Sequence, residues 1–364
     1  MKNILLGVML IAGSNLAAQD SAKTAAPAPN PFSFSGYVEA YYQYDFNKPA
    51  DNNRPGFIYS HNRHNEFNLN LGFLKGSYSA ERVRANLAIA AGTYMNSNYA
   101  AETGVLKNIF EANAGLKVSK KKNLWVDAGI FSSHIGFESA ISKDCWTLTR
   151  SMLADNSPYF ESGAKLTYTS DNNKWIVSGL VLNGWQRIKR VDANSLMSYG
   201  TQVQFKPNSN VTVNYSTFIG TDKPDSARLW RYFHNVYGIF NVTPKFGITA
   251  GFDIGSEQKI KGGNDFNTWY SPVLILKYVI DSKWVIAARG EYYDDKYGVI
   301  IASGTPNGFK TTGFSVNVDY APIPNALIRL ELRSLNSRDD VFIKGNGSVT
   351  NNNTFITSSI AVSF

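Results

Sequence analysis

The stretch Phe32-Ser-Phe-Ser-Gly-Tyr-Val-Glu-Ala-Tyr-Tyr-Gln-Tyr-Asp-Phe46 switches chemistry at every residue. Phe34, Gly36, Val38, Ala40, Tyr42, Tyr44 and Phe46 share one face; Ser33, Ser35, Tyr37, Glu39, Tyr41, Gln43 and Asp45 share the other. A period of two is the signature of a strand, whose successive side chains point to opposite sides of a sheet. The pattern recurs in Glu66–Leu74, where Phe67, Leu69, Leu71 and Phe73 oppose Glu66, Asn68 and Asn70. It recurs again in Arg82–Ile89, with Val83, Ala85, Leu87 and Ile89 opposing Arg82, Arg84 and Asn86. No helical period competes with it, so the sequence predicts an all-β chain.

About 16 such segments follow one another. They lie near 32–46, 65–75, 79–91, 109–118, 124–131, 158–169, 174–185 and 198–206 in the first half. The second half holds 210–220, 230–242, 245–255, 269–280, 283–294, 309–321, 326–335 and 354–364. Connections alternate between short (Lys75–Tyr78, Ser119–Asn123, Thr243–Pro244) and long (47–64, 92–108, 132–157, 336–353). An even strand count with short turns at one end and long loops at the other predicts a transmembrane antiparallel up-and-down β-barrel. A soluble sandwich has no reason to gather its long loops at one end.

Composition excludes the alternatives. Of the 364 residues 18% are charged, against about a quarter in ordinary soluble domains. The mean hydropathy of -0.23 is too low for a helical membrane protein, and 13% aromatic residues exclude disorder. The apolar face carries aromatics towards strand ends, such as Phe34, Phe46, Trp284, Tyr292 and Tyr320, where two membrane interfaces would take them. Alternation sends Trp125 and Trp175 inward, which a bulge near the turn would explain.

Met1-Lys2-Asn3, the apolar stretch Ile4–Ala12 and the small residues up to Ala18 predict a signal peptide over residues 1–18. Residues 19–31 (QDSAKTAAPAPNP) then read as a Pro/Ala-rich periplasmic tether, and 32–364 as the barrel. The single cysteine, Cys145, excludes an internal disulfide and a CxxC site. The final Thr354-Phe-Ile-Thr-Ser-Ser-Ile-Ala-Val-Ser-Phe364 ends on an aromatic, and Phe364 resembles the signal that the barrel-assembly machinery reads. Together these place the chain in the outer membrane of a Gram-negative bacterium.

A 16-strand barrel has a backbone radius of roughly 16 Å, too wide for side chains to fill. The longest loop, Ser132 to Ser157, is the candidate to narrow it, with Glu138, Asp144, Arg150 and Asp155 as constriction residues. The inward charges Arg82, Arg84, Lys165, Arg289, Glu291, Arg329, Glu331 and Arg333 are the candidate pore wall. Acidic loop and arginine wall facing each other would impose a transverse field on permeating ions; alternatively, these charges satisfy one another. The net charge of +8 does not decide selectivity.

Further short motifs sharpen this reading. Phe34-Ser-Gly-Tyr-Val-Glu-Ala-Tyr-Tyr, Asp127-Ala-Gly-Ile-Phe and Ile135-Gly-Phe-Glu138 occur with Trp146-Thr-Leu-Thr-Arg-Ser151, Asn156-Ser-Pro-Tyr-Phe160, Gly163 and Leu182-Asn-Gly-Trp185. In these the chain resembles the OmpL-like β-barrel porins over essentially its whole mature length. The resemblance implies a passive outer-membrane channel and no catalytic residues.

No Walker, Gly-x-Ser-x-Gly, His-Glu-x-x-His or dinucleotide glycine motif is present. No cofactor or metal is expected. His61 and His64 read as part of a solvated loop, and Lys120-Lys121-Lys122 as a solvated turn, not a nucleic-acid patch. The expected partners are outer-membrane lipids, the barrel-assembly machinery and small hydrophilic solutes, with room for a homo-oligomer. Besides the porin, a closed barrel acting as receptor or adhesin and an outer-membrane enzyme stay open. The enzyme would need a Ser or Asp beside His134 or His61 at a rim.

Overall fold

The computed structural model describes residues 30–364, and the signal-peptide and tether readings lie outside them or at their edge. Sixteen antiparallel strands close into a single barrel, as the alternation predicts. They are β1 (Phe32–Asp45), β2 (Phe67–Ser79), β3 (Val83–Ala91), β4 (Ile109–Lys117), β5 (Asn123–Ser132), β6 (Phe160–Thr169), β7 (Trp175–Leu182) and β8 (Ser198–Asn208). Then come β9 (Val211–Gly220), β10 (Arg231–Asn241), β11 (Phe246–Gln258), β12 (Phe266–Val279), β13 (Trp284–Asp295), β14 (Phe309–Ile323), β15 (Ala326–Ser337) and β16 (Asn352–Ser363). Each strand pairs with its sequence neighbours, and β1 with β16 closes the ring.

At the closing seam the backbones of Gly36 and Phe364 exchange two hydrogen bonds of 2.7 and 3.0 Å. The Phe364 ring lies over Gly36, where a Cβ would collide with it. An aromatic covering a glycine on the adjacent strand is a known device for pinning register.

Valines, leucines and isoleucines cover the outer face: Leu74, Leu87, Val236, Leu274, Val316 and Leu332 are all exposed. That surface belongs in hydrocarbon, not water. Aromatic pairs band both ends. Near the turns Trp175 stacks on Phe205 at 4.3 Å, and Trp284 meets Tyr320 at 4.5 Å. Near the loops Tyr42 meets Phe67, and Tyr270 meets Tyr292.

Several expectations are corrected. Trp175 faces outward with Val177 and belongs to the turn-end band. Trp125 does point inward and needs no bulge, because the Arg84 guanidinium lies 4.3 Å from its ring. In β2 a register shift opposite Glu39/Ala40 splits the apolar face. Phe67 therefore stays outside, while Leu71 is fully buried inside and Phe73 stacks on Tyr37. The turn after β2 also falls later than predicted, at Ala80–Arg82, since residues 76–78 still pair with β1. Short helices do occur, at Thr93–Asn98 and Met152–Asp155, both within loops.

Gly129 holds φ of +124° in β5, and a Cβ there would strike the Ala112 carbonyl. Replacing Gly129 with Ala should lower stability by about 1–3 kcal/mol. The check is the midpoint of the heat-dependent gel shift of the folded barrel.

Candidate functional site

The segment between β5 and β6 is the longest uninterrupted departure from the wall, and it runs into the barrel. Its base closes where Ser133 donates to the Tyr159 carbonyl. His134 then sits between the Glu161 carboxylate and the Thr217 carbonyl, 2.9 Å from each. Gly136 donates to Asn235 at 3.2 Å. From there the loop crosses to β11, where glycines receive its aromatics. A Cβ on Gly251 would come within 2.6 Å of the Phe137 ring, and one on Gly247 within 2.7 Å of Trp146.

The loop ends seated on β13–β15. Arg289 pairs with Glu291 at 3.2 Å and Glu331 at 2.9 Å, all fully buried. Its remaining N–H groups donate to the Thr149 carbonyl (2.7 Å) and the Thr147 hydroxyl (2.8 Å). Arg333 pairs with Glu291 at 2.7 Å and donates to the Arg150 carbonyl. Arg329 pairs with Asp319 at 2.7 Å and donates to the carbonyls of Ser142 and Cys145. In the reverse direction, loop N–H groups of Thr149 and Met152 donate to Glu331 and Glu291, both at 2.6 Å, and that of Leu148 to Asn317 at 3.0 Å. A buried ion pair is costly unless its spare donors and lone pairs find partners, and here the loop backbone supplies several of them. Arg289 Nε and Glu291 Oε1 make ion-pair contact without a hydrogen bond, and Arg333 Nε has no hydrogen-bond partner among the described residues.

The sequence-selected residues therefore separate into groups. Arg289, Glu291, Arg329, Glu331 and Arg333 form one buried network under the loop. Glu138 joins it, accepting from the Ser151 N–H and lying 3.9 Å from Arg289. Arg150 is fully buried and staples the loop to itself, donating to the carbonyls of Ser139, Ala140 and Leu148. Asp144 is exposed. Arg84 lies on the other side of the barrel, bound to Asp127, and Lys165 stands opposite Asp127 in register. Arg82 is outside the wall, in the turn before β3. The loop thus rests on the arginine wall in direct contact, with no gap between the two.

Buried polar contacts on β1 escaped the sequence reading. Glu39 accepts from Ser142 and from Asn70, and His61 lies 3.3 Å away; the Tyr37 hydroxyl meets Ser142 at 3.0 Å. Like His64, His61 is buried, not solvated as expected. It and His134 each face a glutamate, and both lie inside the barrel. The glycine seat was visible as a spacing: Gly247, Gly251 and Gly255 recur every fourth residue on the inward parity of β11.

Inward residues on the far wall stay wetter. Lys75, Asn86, Glu111, Asn113, Lys165, Gln202 and Gln204 on β2–β8 are all half-exposed. A cavity of about 220 Å³ lies there between Lys75 and Glu111 on the wall and Ser139–Ile141 on the loop. A second, of about 390 Å³, opens below it at the turn end and shares Phe73 and Ile141 as lining.

The sequence matches, over residues 31–364, the family described as "Putative beta-barrel porin-2, OmpL-like". The chain belongs to this porin family. No curated protein matches it in sequence. Among solved structures, the anion-selective porin from Comamonas acidovorans superposes with a TM-score of 0.60 at 10% identity, covering 92% of this chain and 99% of that one. The DcaP channel of Acinetobacter baumannii gives 0.59 at 12% identity, covering 92% and 97%. Salmonella typhi OmpF, solved with daunomycin, gives 0.58 at 10%, also covering 92% and 97%. At such identities the likeness is one of fold. The porin therefore shares the outer-membrane barrel architecture.

Two predictions follow from the porin's loop. Arg289→Ala leaves Glu291 and Glu331 buried without their shared partner and should cost about 3–5 kcal/mol, read as a lower heat-modifiability midpoint. Asp155 accepts from Tyr159 and Ser60 through one oxygen only, and burial pushes its carboxyl up to about 7 despite Arg333 and Arg150. The folded loop then holds a proton that the unfolded chain has released, so stability falls as pH rises from about 4 to about 7. Asp155→Asn should flatten that slope, checked by unfolding midpoints at pH 5 and pH 8.

Proposed function

We propose that this porin is a narrow channel for passive diffusion of small hydrophilic solutes or ions. The observation that carries the reading is the asymmetry of the lumen. The loop is fastened along β13–β15, while half-exposed polar side chains line β2–β8; one cavity lies between the loop and β2–β6 and adjoins a second between the loop and β1 at the closing seam. Solutes would pass between the loop and this wetter wall, so the loop acts as a partition. Its carboxylates and arginines set the bore by holding the loop, and Lys75, Glu111 and Arg84 meet the solute.

The reading includes residues 1–18 as signal peptide, 19–31 as periplasmic tether, and the outer membrane of a Gram-negative cell. The turn end then faces the periplasm, as in bacterial barrels generally. Phe364, paired into the closing seam, serves as assembly signal for the barrel machinery, and lipids contact the outer face. Homo-oligomers fit the reading, and one barrel of the same fold, from Vibrio cholerae, is described in a trimer form. No catalytic, cofactor-binding or nucleic-acid role is assigned.

One observation favours a second reading, a closed barrel whose loops bind a ligand. At the loop end Phe57, Ile58, Ile301, Phe309, Phe342 and Phe355 join one apolar cluster. Above it three loops enclose a cavity of about 690 Å³, a size suited to a small molecule.

Single-channel recording of the refolded protein separates the two. Stable current steps are the porin's expected outcome, and deletion of residues Glu138 to Asp155 should enlarge them. A folded, inserted barrel without current would favour the receptor. An unchanged conductance after the deletion would refute the partition.

A further inference from the structure

Acids and bases are distributed unequally between the dry and wet parts of the lumen. On the dry side Glu291 and Glu331 are neutralised at contact distance by Arg289. Such pairs project little field into water beyond them. On the wetter wall the acids are likewise taken: Glu111 by Lys75, and both oxygens of Asp127 by Arg84.

Inward groups left without an ion pair are mostly basic, on that wall and on β12 beside the dry side. Lys117 on β4 stands opposite the inward Trp125 and, among the described residues, has no acidic partner within 4.0 Å. Lys206 continues the inward parity of Gln202 and Gln204 on β8, is exposed, and also has none. Lys277 on β12 reaches into the lumen with its ammonium 4.1 Å from the Trp146 ring, a contact that leaves its charge uncancelled. Lys165 lies over Phe131 at 4.6 Å, facing an Asp127 already held by Arg84. Against these four stand Asp144, an exposed acid of the loop, and the buried Asp155 and Asp253, which neutral hydroxyl and amide groups hold; none of the three has an ion pair among the described residues.

We infer that the channel selects anions, through Lys117, Lys165, Lys206 and Lys277 spaced around its turn-end half. The inference rests on the reading of the chain as an open channel. Four ammonium groups reach water from β4, β6, β8 and β12, so a solute in the bore passes within about one Debye length, roughly 8–10 Å, of several of them. A low-dielectric wall focuses their field and raises the local concentration of chloride, phosphate or small carboxylates over cations. Selectivity comes from the charges that the fold leaves over, not from the larger arginine network, which is consumed in holding the loop.

The test is the reversal potential of the full folded protein in a planar bilayer under a KCl gradient. The expected sign is that of chloride permeating faster than potassium, by about threefold or more. Combined Lys117→Gln, Lys206→Gln and Lys277→Gln should bring the ratio towards one while current steps persist. Lys206→Gln alone, at an exposed position with no side-chain partner, should shift the potential in the same direction by less and guards against misfolding of the triple variant. A cation-preferring wild type, or variants with an unchanged potential, would overturn anion selection and leave the channel intact. Absence of any current would overturn the channel reading and the selectivity with it.

Discussion

The Arg289 guanidinium, fully buried between Glu291 and Glu331, is the contact on which the interior depends. Removing charged groups from water costs several kcal/mol per ion, and Coulomb attraction recovers that only with extensive hydrogen bonding. The strand alone cannot supply it. Neighbouring inward side chains provide the counter-charges, and the carbonyl of Thr149 with the hydroxyls of Thr147 and Thr149 accepts from the two terminal amino groups. Wall and loop are therefore mutually required. Without the loop the network would have to take up water, and without the network the loop's carbonyls and N–H groups would lie unpartnered inside a barrel.

That reciprocity ties the arginines of the wall to carboxylates and loop carbonyls at contact distance. Arginine suits the task because its planar fork can engage a carboxylate on one edge and a backbone carbonyl on another. Arg329 does so with Asp319 and the carbonyls of Ser142 and Cys145. Lysine carries a compact charge on a flexible stem, and it is the lysines that stay in contact with water.

The barrel was legible in the sequence because alternation is a local property that the lipid enforces on every strand. Sixteen segments, their long loops and the outward Val, Leu and Ile could be read without any tertiary information. Where alternation failed it did so for local reasons: the register shift in β2 turned Leu71 and Phe73 inward. The interior was only partly legible. Parity identified Arg289, Glu291, Arg329, Glu331 and Arg333 as inward, but it carries no information on what lies across the lumen. That the loop would meet these residues in contact, and that Arg84 would pair with Asp127 on the opposite side, depends on the loop's path. The clearest written trace of that path was the Gly247/Gly251 spacing, whose meaning appears only once Phe137 and Trp146 are seen resting there.

The chain's single cysteine lies in the segment that the arginine wall holds down. Cys145 is buried, its thiol near the carbonyls of Ser139 and Ile141, and its own carbonyl is bound by Arg329. Burial pushes the thiol up from its usual range, and only the thiolate reacts readily with electrophiles. The porin therefore carries an internal chemical reporter. While the loop is seated, an alkylating reagent finds neither access nor a thiolate, so its rate of labelling measures how often the loop lifts from the wall in the native, unmutated protein.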